Sequence, residues 1–311
     1  MGHLSLLLSS LLIPLALGAP AGGAQQSNLA RDLKIVQTFK QKVTVDPKGI
    51  TKKWVGNDIC KFEGFRCAEN PNTKQTAVSG IDFNDFNFGK DLSLNGFVDQ
   101  LTDLTFFHAG SNDFTGSIPD FSKSKWLWEL DLSDNKFSGP FPPTILNMDL
   151  VFLSLRFNQF SGPLPPKLFD LDLDTIFLNN NKFNGQIPDN LGSSPARYIV
   201  LANNQFTGPI PKSVATSKDI NEILFLGNQL TGPLPTTFNL PNATIFDVSD
   251  NKLSGPVPES LCQQKKLQAL NLSKNRFTGK LGPACTALVN KKILDVTGNC
   301  LEGVKGQKAK C

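Results

Sequence analysis

The chain has 311 residues, of which 40% are hydrophobic and 19% charged, and a formal net charge of +4. That balance is too apolar for a disordered chain and too weakly charged for a polycationic tail. Histidine occurs twice, at His3 and His108, which excludes chemistry that needs several imidazoles, and 24 Phe stand against one Tyr.

The apolar run from Leu4 to Leu17 is short for a bilayer span of about 20 residues and suits a secretory signal. Small residues between Gly18 and Ala24 place cleavage between 18 and 24, so residues 1–24 read as a signal peptide and the mature chain as secreted. No later stretch reaches spanning length. Residues 25–76 read as an N-terminal cap. Leu33, Ile35, Val36 and Phe39 have helical spacing, Asp46-Pro-Lys-Gly49 breaks it, and Trp54 with the loop from Cys60 to Cys67 is placed to cover the first coil of a repeat array.

Beyond the cap the chain repeats. Aligned on asparagine, Asn112, Asn135, Asn158, Asn181, Asn204, Asn228, Asn251, Asn275 and Asn299 stand 23 or 24 residues apart. The shared unit is L-x-x-L-x-L-x-x-N-x-F-x-G, as in Leu127 to Gly139, mostly followed by G-x-[LIV]-P. A degenerate tenth copy runs through Val78, Ile81 and Phe83, with Phe86 at the asparagine place. The alternation Leu130, Asp131, Leu132 has the period of a short strand with one buried face. Such a strand needs stacked neighbours for its core and its hydrogen bonds, which predicts a solenoid over residues 77–299. The Asn carboxamide, donor and acceptor at once, is predicted to tie coil to coil. Phe114, Phe137, Phe160, Phe183, Phe206 and Phe277 are predicted to stack as an internal spine, and the Gly and Pro to turn the chain back across the convex side.

Open solenoid ends need caps, and the six mature cysteines lie toward the two ends. An even count in an exported chain predicts three disulfides; of the 15 possible pairings, proximity favours Cys60 with Cys67, Cys262 with Cys285, and Cys300 with Cys311. Residues 300–311 form the C-terminal cap. A zinc site is not expected, because no C-x-x-C or matching histidine pair is present, and no cofactor or metal is assigned.

Charge is partitioned. Residues 75–260 carry 11 Lys or Arg against 20 Asp or Glu, a net −9, whereas residues 25–74 carry +5 and residues 261–311 carry +8. The acidic middle suits a cationic ligand and the basic ends suit polyanions, while nucleic acid is not expected because the compartment is wrong and the basic residues are scattered. The variable strand residues should project to the concave face. In chain order the candidate partner-binding set is Phe106, His108, Trp128, Glu129, Asp131, Phe152, Ser154, Arg156, Asp174, Phe177, Tyr198, Val200, Glu222, Leu224 and Asp247, with Phe157 beside them. This is an aromatic stripe beside carboxylates, on a face that suits a peptide or protein better than a metabolite. Catalysis is not expected: His108 is the sole mature histidine, the cysteines are paired, and no phosphate-binding glycine motif occurs, so no catalytic residue is assigned. Asn242 and Asn271 begin the two glycosylation sequons.

The G-x-[LIV]-P extension is similar to that of the plant extracellular class of leucine-rich repeats. The expected fold class is therefore an α/β leucine-rich repeat solenoid. It would have about ten plant-type repeats, a short parallel β-sheet on the concave face and disulfide-stapled caps. Trp54 with Asp58-Ile-Cys60-Lys-Phe-Glu-Gly-Phe-Arg-Cys67, Leu101 to His108, Leu155-Arg-Phe-Asn158, Ile199 to Asn204, Phe246-Asp-Val-Ser249 and Asn299-Cys-Leu301 resemble the repeat head of the leucine-rich repeat extensins. That resemblance implies a cell-wall or apoplastic binding protein. Its head would take small cationic cysteine-rich signalling peptides, acting in wall assembly and growth control. Apart from that resemblance, no kinase signature or spanning helix follows the repeats, so a receptor kinase is not expected, and contact with a membrane protein as a co-receptor stays open. The Ser-Pro-rich extensin tail does not follow Cys311, so the head alone is expected. Two alternative readings stand beside this one: a structural wall protein holding acidic polysaccharide through its basic ends, and an inhibitor of wall-degrading enzymes.

Overall fold

The computed structural model describes residues 28–311; the expected signal peptide lies outside them. Ten strands, one per coil, lie parallel and in sequence order from β2 (Thr76–Asp82) to Leu294–Asp295. β1 (Phe65–Glu69) adds an eleventh, antiparallel strand at the N-terminal edge. Most of these strands are three residues long, with the middle residue buried and its neighbours turned outward.

The asparagine ladder supplies what strands so short cannot. All nine asparagines are buried. Each Oδ1 accepts the backbone N–H of the spine residue in the preceding coil at 2.8–3.0 Å, from Phe88 to Asn112 through Phe277 to Asn299. Each Nδ2 donates to a carbonyl of that same preceding coil at 2.8–3.1 Å, and also to its own turn. The first coil has no coil before it to serve, and there Phe86 replaces Asn and packs on Phe83 and Phe88 at 5.3 and 5.4 Å. The spine follows from the ladder: Phe114, Phe137, Phe160 and Phe183 stack ring on ring at 6.0–6.4 Å, fully buried.

One element differs from expectation. The Asn-x-Phe-x-Gly segment is not merely a turn; it forms a second, nine-stranded parallel sheet, including Lys136–Gly139, Lys182–Gln186 and Arg276–Gly279. The x-Phe-x alternation, with Lys, Gln, Ser or Thr outside and Phe inside, is itself a strand signal of period 2. The following Gly does take positive φ, 101° at Gly139 and 87° at Gly162. Convex connections are largely 3-10 turns such as Pro143–Asn147, Pro166–Asp170 and Lys212–Thr216. At Gly192 the packing is so close that a Cβ would stand 2.1 Å from the Ser213 backbone.

Helix α1 (Asn28–Lys42) opens the described chain and packs Val36 and Phe39 inward. Phe39 stacks on Phe97 at 3.9 Å, and Trp54 packs against Phe65 and Phe83 while donating through Nε1 to the Glu63 carbonyl. Buried Asp32 accepts the Val78 N–H and is paired with Arg31, which also reaches Asp103. Asp46 caps the following turn by accepting from Ile50 N, Thr51 N and Thr51 Oγ1 at 2.7–2.9 Å. The three disulfides join Cys60–Cys67, Cys262–Cys285 and Cys300–Cys311. The second links α2 (Glu259–Cys262) to α3 (Pro283–Asn290), where Glu259 accepts the Ala284 N–H. At the last coil Gln307 accepts the Leu301 N–H and donates to the Val296 carbonyl, filling the place a further coil would take.

The two cap carboxylates respond to pH with opposite signs. Burial pushes Asp32 above the usual carboxylate range, against the Val78 and Arg31 hydrogen bonds. At Asp46 burial also pushes upward, but the Thr51 and Ile50 hydrogen bonds and Lys52 outweigh it and hold the group below that range. The Asp46 contribution is therefore present above about pH 4 and lost as pH falls through its lowered value, whereas that of Asp32 is lost as pH rises through its raised one. Urea unfolding of Asp46→Asn is expected to show a smaller loss of stability between about pH 6 and about pH 3 than the parent chain; an equal or larger loss contradicts the assignment. Removing one rung, Asn158→Ala, takes the side-chain acceptor from the buried Phe137 N–H and one of two donors from each of the Leu132, Leu155 and Arg156 carbonyls, which keep Asn135 Nδ2, Asn181 Nδ2 and the Asp134 N–H. A loss of about 2 kcal/mol is expected in the same assay, with Asn158→Asp no better because it cannot donate and would face its charge to the carbonyls.

Candidate functional site

Strand register sets the concave face in rows. One outward row runs Gly80, Phe106, Glu129, Phe152, Thr175, Tyr198, Glu222, Ile245 and Ala269. The next runs Asp82, His108, Asp131, Ser154, Phe177, Val200, Leu224, Asp247 and Asn271. Trp128, Asp174 and Arg197 stand one residue before their strands, and Arg156 two residues after its own. Of the candidate set, most are half-buried and Trp128 is 47% exposed. Ser154 does not fit the expectation: it is fully buried, and its hydroxyl has no hydrogen-bond partner. A short side chain between Asp131 and Phe177 in the row is overtopped by both.

The carboxylates have a structural use. Asp82, Asp131, Asp247, Asn271 and Asp295, at equivalent places, each accept the N–H two residues on, from Asn84, Ser133, Ser249, Ser273 and Thr297 at 2.8–3.1 Å. These Asx turns lead into the bend before the ladder asparagine. A backbone N–H does not neutralise a carboxylate, so the turn fixes the charge in place without removing it. Glu129 accepts or shares a proton with His108 Nε2 at 3.0 Å, Asp174 is paired with Arg197, and Asp247 also accepts from Asn271 Nδ2 at 3.1 Å. Asn271, the concave sequon, is thus half-buried and engaged through both side-chain atoms, while Asn242 is held by Lys218 O and Lys266 Nζ.

The aromatic groups pack sideways as well as outward. The Phe106 ring lies over Gly80, where a Cβ would meet it at 2.1 Å, and sits 5.0 Å from His108. Phe152 meets Phe177 edge to face at 5.9 Å, and the Arg156 guanidinium lies 5.5 Å over the Phe177 ring. Three exposed groups outside the candidate set join the face. Trp126 is 40% and Val151 43% exposed on the same rim as Trp128; the outward alternation around buried Leu127 and Leu150 is the signal that marks them. On the opposite rim Phe157 is 49% exposed at φ 54°. Equivalent places hold Ser111, Asp134, Asn180, Asn203, Gly227, Asp250, Lys274 and Gly298, mostly residues that tolerate the left-handed region, and Phe157 is the one apolar side chain among them. A phenylalanine there carries a conformational cost of about 1–2 kcal/mol in addition to exposing its ring.

Ring stacking, ladder and row geometry are those of a leucine-rich repeat solenoid. The Leucine Rich Repeat family model matches residues 126–148, 172–194, 242–264 and 266–288. Within that class the chain is homologous to the repeat regions of leucine-rich repeat extensin-like proteins of Arabidopsis thaliana. It is 38% identical over 100 residues to "Leucine-rich repeat extensin-like protein 1", a match covering 32% of this chain and 13% of that protein. It is 40% identical over 98 residues to "Leucine-rich repeat extensin-like protein 2", covering 31% and 12%. The matched stretch is thus a small part of each relative. Among solved structures, a plant ice-binding protein shares the fold at TM-score 0.65 and 24% identity, covering 92% of this chain and 100% of its own. The structure of PEPR1–AtPEP1 is similar at TM-score 0.62 and 25% identity, over 87% of this chain and 45% of that one. No helix among the described residues is long and apolar enough to cross a membrane.

Ser154→Ala is expected to leave stability unchanged or raise it by up to about 1 kcal/mol, since it removes an unpaired buried hydroxyl, and to leave concave-face binding untouched. A loss of ligand affinity would return Ser154 to the site.

Proposed function

We propose that this chain is a secreted, non-enzymatic binding module of the plant cell wall or apoplast. Its concave face takes a cationic cysteine-rich signalling peptide or protein partner, in wall assembly or growth control. The observation that carries the reading is the pair of concave carboxylates, Asp131 and Asp247, pinned by their own turns beside outward aromatics, in a repeat region whose net charge is −9. Preorganised charge of one sign favours encounter with an oppositely charged partner, and aromatic groups supply anchoring area. The similarity to the PEPR1–AtPEP1 structure, and the homology to extensin-like repeat regions, support a peptide-binding extracellular module. Glycosylation at Asn271 would shield the C-terminal end of the face and confine the partner to earlier coils.

The test is affinity capture from plant wall extracts by the secreted, glycosylated chain at low and high salt. Capture of a cationic peptide is expected to weaken about tenfold when Glu129, Asp131, Glu222 and Asp247 are reversed to Lys, and to weaken as salt rises. Salt-independent capture unaffected by reversal counts against the reading. Release of acidic polysaccharide on neutralising the C-terminal lysines would favour the structural wall alternative instead.

A further inference from the structure

The concave rows change character along the stack. In one, Glu129 and Glu222 bracket Phe152, Thr175 and Tyr198; in the other, Asp131 and Asp247 bracket Ser154, Phe177, Val200 and Leu224. In these two rows carboxylates therefore stand at both ends and mostly apolar groups between them, while the carboxylate beside the middle coils, Asp174, is already paired with Arg197. The middle also holds a cation, Arg156, over the Phe177 ring. The first of these middle coils carries exposed apolar groups on both rims, Val151 on one side and Phe157 on the other, with Trp128 on the Glu129 coil beside it. Phe157 is the informative one, because its left-handed backbone and its exposed ring both disfavour phenylalanine in the unbound protein.

We propose that the ligand of this face is two-ended: an apolar segment seated on the middle coils against Phe177, Val200, Leu224 and Phe157, with one basic group reaching Glu129 and Asp131 and another reaching Glu222 and Asp247. This rests on the reading that the concave face takes a cationic partner, and specifies how its charge is arranged. Asp131 and Asp247 are five coil steps apart, so the basic groups stand about 24 Å apart at about 4.8 Å per step. An extended segment of about eight residues covers that distance at about 3.4 Å per residue. A basic group at the centre would face Arg156, and an acidic one at either end would face carboxylates, so the surface rejects the reversed pattern as well as accepting this one.

Three synthetic eight-residue peptides test the proposal on the full secreted chain: arginine at both ends with leucine, isoleucine and phenylalanine between, the same centre with glutamate ends, and arginine ends around serine. The first is expected to bind at least tenfold more tightly than either other. Phe157→Asn is expected to raise the melting temperature by about 2–4 °C, as left-handed strain is relieved, while weakening the first peptide about tenfold. Reversal at one end alone, Glu129→Lys with Asp131→Lys or Glu222→Lys with Asp247→Lys, is expected to give a partial loss from either end. Equal binding of the apolar-centred and serine-centred peptides, unchanged affinity in Phe157→Asn, or complete loss from one end with none from the other overturns the two-ended arrangement while leaving a cationic ligand standing. Equal binding of arginine-ended and glutamate-ended peptides, indifferent to every reversal, overturns the cationic reading itself.

Discussion

A buried turn in a coil of this stack has amide and carbonyl groups that no helix or long ladder can satisfy, and the carboxamide of the next coil's asparagine satisfies them. That requirement is narrow. The group must accept one N–H and donate to carbonyls on two coils from a side chain short enough to stay inside, as Asn158 does toward Phe137, Leu132, Leu155 and Arg156. Aspartate lacks the donors, and a glutamine carboxamide fills the role only at the last coil, where Gln307 reaches it from the C-terminal cap and not from a coil's own bend. Because the accepted N–H belongs to the spine residue, the ladder also fixes where each phenylalanine stands, and the stacked rings are a consequence of the polar bonding as much as of apolar burial.

The same economy shapes the concave face. Asp131 and Asp247 brace the bend that leads to their own coil's asparagine, and the fold thereby places fixed carboxylates on an open surface. Where the place is taken instead by Phe177, Val200 or Leu224, the surface becomes apolar. A single row position thus decides whether a side chain braces the bend and what recognition chemistry the surface offers.

Features that recur in phase were legible in the sequence: the asparagine period, the spine phenylalanines, the inward leucines and cysteines close enough to pair. What escaped depended on contacts between coils or on backbone angle. Lys136 to Gly139 reads as a turn because its glycine is conspicuous, yet its neighbours on both sides make it a strand. Ser154 has the outward phase of its row, but its exposure is set by how far Asp131 and Phe177 rise beside it. The left-handed backbone at Phe157 is imposed by the coil's periodic bend and not by its residue type, so no local propensity announces it.

The blank first rung, Phe86 in place of asparagine, gives the stack a direction. Every carboxamide looks back toward the N-terminus, so the two termini of the array are chemically unlike. A coil lost from the front leaves the next asparagine with donors aimed at water, which can accept them. A coil lost from the back takes with it the acceptor of a spine amide, such as that of Phe277, the role that Gln307 fills for Leu301 at the natural end. The two caps are therefore not interchangeable, and a duplicated internal coil would lengthen the trough by one step without creating a new kind of junction.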